Sequence, residues 1–160
     1  MKARPMLSTF VDFFTLLLAA LLVGTMFGTW LTANPVGLSA SDYVVVTQQH
    51  IRALNEFMPR FGGATILFTI ASAVLARADG TRLAMLVVAV LFFVTVGLIT
   101  RFLNQPINAI VMTWTPGAAP ANWTELRDTW WNWHLVRLAL ALLGLGLLIL
   151  AMLRQDTIGG

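Results

Sequence analysis

Trp130, His134 and Arg137 recur at intervals of four and three, so a helix places them on one face. Arg101, Asn104 and Asn108 have intervals of three and four and share a face in the same way. An imidazole beside a guanidinium in a sheltered site reads as a neutral base, and abstraction of an acidic C–H proton requires a base. Guanidiniums at 137 and 101 would stabilise the enolate or other oxyanion left behind, with the Asn104 and Asn108 amides as further donors. Trp130 and Trp114 offer flat walls for an aromatic substrate. In this reading His134, Arg137, Asn104 and Asn108 carry the chemistry, while Trp130, Trp114, Arg101, His50 and Asn55 bind the substrate.

Plainer roles exist for the same residues. Arg137 on a lipid-facing side would extend toward the interface. The asparagines would cap a broken helix, and His50 would sit in solvent. A two-histidine-plus-carboxylate iron site would need His50, His134 and one of Glu56, Glu125 or Asp128 to converge. Copper, or haem with His134 or His50 as axial ligand, is less favoured still. No His-x-x-x-His or Glu-x-x-His pair supports it, so no cofactor is expected. Serine-nucleophile motifs, phosphate-binding glycine loops and dinucleotide fingerprints are absent.

The elements that position these residues are membrane spans. Hydrophobic residues make up 58% of the 160, and charged residues only 11%; mean hydropathy is +0.81. Soluble domains carry about 25% charged residues, so the expected class is an all-α integral membrane protein. The net charge is only +3 and the basic residues are scattered, which argues against a nucleic-acid surface. With no cysteine, disulfides, thiolate metal sites and thiol nucleophiles are excluded.

Four apolar stretches, about 7–31, 61–76, 83–103 and 135–153, can cross a hydrocarbon core of roughly 30 Å. They predict a four-helix bundle forming a single domain. The first is too long for a signal-peptide core and is read as a retained span. Lys2, Arg4, Arg77, Arg82 and Arg154 fall at one end, predicting a multi-pass inner-membrane protein with both termini cytoplasmic. Arg52, Arg60, Arg101, Arg127 and Arg137 fall at the other end, among carboxylates, amides and aromatics. All six tryptophans and both histidines share that end. Asp12, the acidic residue drawn into a span, is expected to pair with Lys2 or Arg4. Gly24 and Gly28 form a small-xxx-small stripe suited to close helix approach, including a homo-oligomer contact.

Two segments, 32–60 and 104–134, lie outside these spans. In the first, Ser39 and Asp42 predict an N-cap, followed by an interfacial helix from Tyr43 to Met58 that Pro59 ends. Its apolar face is Thr47, Ile51, Leu54 and Met58, and Arg52 and Glu56 stand at pairing distance along it. In the second, Pro106 is expected to kink or end the third helix, leaving the amides of Asn104, Gln105 and Asn108 to satisfy freed backbone groups. The fourth helix starts near Trp123 and runs unbroken, carrying Arg127, Trp130, His134, Arg137, Ala141 and Gly144 on one seam.

The run from Arg101 to Asn108, then Trp114, then the run from Arg127 to Arg137 resembles the anthrone oxygenase-like family of small four-span membrane proteins. The segment from Gln48 to Asn55, with Met58 and Pro59, is similar to the family's first-loop pattern. The likeness covers nearly the whole chain. It implies oxidation of anthrones to anthraquinones by oxygen, without an organic cofactor. By that likeness Asn104, Asn108, Trp130, His134 and Arg137 are the site. The expected function is therefore a membrane-embedded, base-assisted oxidation of a hydrophobic aromatic or enolisable compound. The alternative is a non-catalytic membrane protein whose tryptophan-rich face binds a lipid, cofactor or protein partner.

Overall fold

The computed structural model describes residues 5–154. The described residues are all-helical, with α1 at Met6–Thr32, α2 at Ala40–Leu54, α3 at Phe57–Leu75 and α4 at Gly80–Ile99. A π-turn at Thr100–Asn104 joins α4 to α5, Gln105–Val111, and α6 covers Trp123–Leu153. Four stretches are long and apolar enough to cross a membrane: Met6–Thr32, Phe57–Leu75, Gly80–Val111 and Trp123–Leu153. The third is one span built of α4, the π-turn and α5. Each span begins before the apolar stretch expected for it, and the third also continues past it to Val111, while α3 stops one residue short at Leu75.

Within the bundle α1 packs on α3 and α6, and α4 on α3 and α6, closing a ring. Small residues set the spacing of α4 and α6. A Cβ on Gly144 would stand 3.1 Å from Cζ of Phe93, so α6 approaches this ring closely only because position 144 has no side chain. Leu86, Ala89, Phe93 and Val96 of α4 meet Leu138, Ala141 and Leu148 of α6 in the core. Leu67, Leu91, Leu143 and Leu150 point outward, as lipid-facing residues of a membrane protein do. Gly24 and Gly28 also face away from the chain's own helices: a Cβ at either would meet nothing within 4 Å.

The connections show why local signals worked or failed. Ser39 accepts the Asp42 backbone N–H at 3.2 Å, and its hydroxyl donates to the Asp42 carboxylate at 2.6 Å, so α2 starts as expected. It ends earlier, at Leu54. Pro59 lies in the first turn of α3, where a missing N–H costs no intrahelical bond. Of the expected stripe Ile51 is buried, and Leu54 and Met58 line the cavity; Tyr43, Val44 and Gln48 complete the buried face of α2. Arg52 donates to Gln48 at 3.2 Å, and Glu56 pairs instead with Arg60, an exposed contact.

Pro106 neither ends nor breaks the third span. The Gln105 N–H bonds to the Thr100 carbonyl, five residues back, and Pro106 falls in the first turn of α5. The wide turn relieves the clash a proline ring makes with the carbonyl four residues behind it.

At the end of the bundle away from the tryptophans, Asp79 caps α4 by accepting the backbone N–H groups of Thr81 and Arg82, at 3.1 and 3.0 Å. Arg82 does not reach an interface. Its side chain turns into the bundle and pairs with the buried Asp12 carboxylate. Ser72 donates to the same carboxylate at 3.0 Å and touches Thr15 at 3.0 Å. Lys2 and Arg4, the partners expected for Asp12, lie outside the described residues.

Breaking this pair should be costly, because the remaining charge stays buried. Asp12→Ala is expected to lower stability in detergent by about 3–5 kcal/mol, read as a drop in the thermal unfolding midpoint. Asp12→Leu combined with Arg82→Leu should recover most of that loss. A double variant as unstable as the single one would disprove the assignment.

Candidate functional site

At the tryptophan-bearing end the four long helices and α2 enclose a cavity of about 530 Å³. That size falls within the usual range for a small-molecule site, about 300–1,000 Å³. Its walls come from seven elements, with Gly62 and Ile66 on α3 and Asn108 on α5 among them. α1 supplies Met26 and Thr29, α2 supplies His50, and α4 supplies Phe93. The π-turn supplies Thr100 and Arg101, and α6 supplies Trp130, His134 and Arg137. No aspartate or glutamate is among the lining residues, although two arginines are.

The α6 seam is built as a stack. The rings of Trp130 and His134 lie nearly parallel, 5.4 Å between centroids and 6° between planes. Trp131 flanks the same imidazole at 5.4 Å and 26°. The Arg137 guanidinium carbon sits 5.7 Å from the Trp130 ring centre, in cation–π range. Arg137 donates to the Thr100 hydroxyl and to Nδ1 of His134, each at 3.1 Å. All its protein partners here are neutral, and its Nε is enclosed with no hydrogen-bond acceptor.

Hydrogen-bond partners assign both imidazoles. A guanidinium has donors only, so Nδ1 of His134 must present its lone pair to Arg137, which puts the ring hydrogen of the neutral form on Nε2. That Nε2 is buried and meets no acceptor within hydrogen-bond geometry. Across the cavity, Nε2 of His50 lies 3.2 Å from the Thr29 hydroxyl. The hydroxyl hydrogen is directed at the Thr25 carbonyl, 3.0 Å away, so the His50 ring donates from Nε2 and leaves Nδ1 unprotonated. Burial, and then the nearby Arg137 charge, both lower the pKa of His50 below its ordinary value.

The expected site residues divide into two groups. His50, Asn55, Arg101, Asn108, Trp130, His134 and Arg137 line the one cavity. Asn104 is buried behind it, donating to the Trp130 carbonyl at 3.0 Å. Trp114 faces elsewhere, 6.3 Å from the Tyr43 ring in a cluster under α2. Arg127 also leaves the seam, pairing with Asp128 and covering Trp123. The asparagines do not cap a broken backbone. Asn108 accepts from the Trp130 indole at 2.7 Å, and Gln105 donates to Asn55. These amides tie helices together, because the π-turn leaves no break to repair.

Thr29 and Thr100 were not foreseen as site residues. Nothing in their spacing separates them from the other threonines whose hydroxyls bond back along their own helices. Among the described residues no group of three histidine, aspartate or glutamate side chains gathers as a metal set.

Residues 48–147 match the anthrone oxygenase family, and the chain belongs to it. Comparison with curated proteins and with solved structures gives no match. The matched region begins on α2 and ends within α6, so it contains both histidines and every cavity residue of the π-turn.

The tautomer assignment has a direct readout. Nitrogen-15 spectra of the histidine side chains near neutral pH should show the hydrogen on Nε2 in both rings. A proton on Nδ1 of His134 would rule out the Arg137 contact.

Proposed function

We propose that this member of the anthrone oxygenase family oxidises an enolisable aromatic ketone with molecular oxygen inside the cavity at its tryptophan-bearing end. The observation that carries the reading is Arg137: an enclosed guanidinium lining a cavity that offers it no carboxylate. A half-buried cation without a counter-ion is costly in proportion to its desolvation, and a ligand that becomes anionic during reaction supplies the missing charge at the moment it forms.

The reaction balances with oxygen as the oxidant. Anthrone plus O2 gives anthraquinone plus water. A base removes one methylene proton, and the electron pair remains as an enolate whose oxygen Arg137 and Arg101 stabilise. Oxygen forms a C–O bond at the former methylene carbon, and the resulting peroxide takes up a proton. Loss of the second C–H proton then breaks the O–O bond, giving the new carbonyl and releasing hydroxide, which becomes water. No organic cofactor enters this scheme.

Each wall has a part in it. Trp130 presents a flat face, and Asn108 holds its indole in place. His134 and Thr100 each hold a different terminal nitrogen of Arg137, fixing the guanidinium where the charge develops. The bilayer is the natural source of an apolar substrate. We also place both termini on the cytoplasmic side, supported by Arg77, Asp79 and Arg154 gathering at the end opposite the cavity. The outward-facing Gly24 and Gly28 stripe leaves a surface where a second copy would fit.

Arg137→Met should lower kcat/KM for anthrone by about 10²–10³-fold, the usual effect of removing one oxyanion donor. Oxygen uptake and anthraquinone absorbance measure it, and one O2 should be consumed per anthrone without hydrogen peroxide. Unchanged turnover in this variant would remove the oxyanion role.

A further inference from the structure

We propose that His50, on a helix between the first two spans, accepts the substrate's proton, and that His134 does not. The inference rests on the oxygenase reading above and names the base that reading requires.

A general base needs a lone pair free to meet a C–H bond. His134 has none to offer. Its Nδ1 pair is committed to Arg137, and its Nε2 carries the ring hydrogen. Freeing Nδ1 would mean withdrawing the guanidinium that stabilises the product of the same step. His50 has the opposite arrangement. Its Nε2–H is anchored on Thr29, whose own hydrogen is spent on the Thr25 carbonyl. Its Nδ1 has no hydrogen-bond partner among the described residues, and the ring lines the cavity.

The surroundings keep that lone pair available. Arg137 and His134 face the cavity from α6, and Arg101 faces it from the π-turn. No carboxylate lines the cavity to draw a proton onto the ring. Once His50 takes the proton, the imidazolium is one more cation facing an enolate, so the transferred charge has its counter-charge in place. The same proton then passes from Nδ1 to the peroxide oxygen, and the restored lone pair takes the second methylene proton as the O–O bond breaks.

The base also needs a fixed position, and α2 is anchored for that purpose. Gln48, two residues before His50, donates from its side-chain amide to the carbonyls of Val111 and Trp114, at 3.0 and 2.8 Å. Its carbonyl oxygen accepts from Arg52 at 3.2 Å. Tyr43 and Ile51 pack on Ile107 and Val111 beneath the same helix. The proton acceptor is therefore held against the end of the third span although it belongs to a separate helix.

The test uses full-length purified protein in detergent with anthrone. Deuterium exchange at the methylene carbon in D2O, measured without oxygen, isolates proton abstraction; oxygen uptake in air follows the whole reaction. His50→Gln should lose at least about 10²-fold in both, a typical general-base contribution, while eluting as a folded species. Added imidazole should restore activity to His50→Ala. The acidic limb of kcat/KM in the wild type should fall below pH about 6.5 and disappear in His50→Gln. His134→Gln should slow oxidation yet keep that acidic limb. Exchange in His50→Gln within a few-fold of wild type, or a wild-type profile without an acidic limb, overturns the base assignment and leaves the oxygenase reading standing. Wild-type protein with neither exchange nor uptake above buffer overturns both.

Discussion

One half-buried cation without a carboxylate partner organises the upper half of this protein. Arg137 sits within α6, and what it touches is neutral: a threonine hydroxyl, an imidazole nitrogen and the face of an indole. Each of those groups is in turn held by something else. Thr100 bonds back to Val96 at 2.8 Å, the His134 ring is flanked by two indoles, and Trp130 donates to Asn108. The lower half treats charge in the opposite way. There Arg82 is neutralised inside the bundle by Asp12, and Ser72 donates to the same carboxylate. Two arginines in one small bundle thus have contrasting surroundings. One is paired with a carboxylate inside the fold, and the other lines the cavity with neutral partners alone.

The π-turn is what makes this arrangement possible at the third span. A regular helix with Pro106 at this position would place the ring against the carbonyl four residues earlier and would bend or stop. One wider turn removes the conflict and carries the helix on to Val111. It also sets the facing of the side chains around it. Thr100 and Arg101 come to the cavity, while Asn104 is turned toward the backbone of α6. Such turns are frequent at functional sites for this reason: they re-aim side chains without breaking the helix.

Much of this was legible in the sequence. The spans follow from composition and length. The seam of Trp130, His134 and Arg137 follows from intervals of three and four along a helix that nothing interrupts. Both are properties of a single segment, and single segments are what periodicity reads. The failures share a different character. Trp114 was grouped with Trp130 by type, but it packs on Tyr43, a residue 71 positions away in the chain. Arg82 was read as an interfacial charge because of its place at a helix start, but its partner is on α1. Pro59 carries the same local meaning whether it ends one helix or begins the next, and only the early end of α2 decides between them. Thr29 and Thr100 gain their roles from groups on other helices. The histidine roles were the least legible of all, because a tautomer depends on which neighbour already holds each ring nitrogen.

The tether through Gln48 has a consequence for how the protein is made. The two carbonyls it grips belong to residues 63 and 66 positions further along the chain. When α2 leaves the ribosome, neither anchor has yet been synthesised, and the second and third spans must enter the bilayer first. The helix bearing His50 therefore docks late in biogenesis, and a nascent chain stalled before Trp114 has no settled cavity.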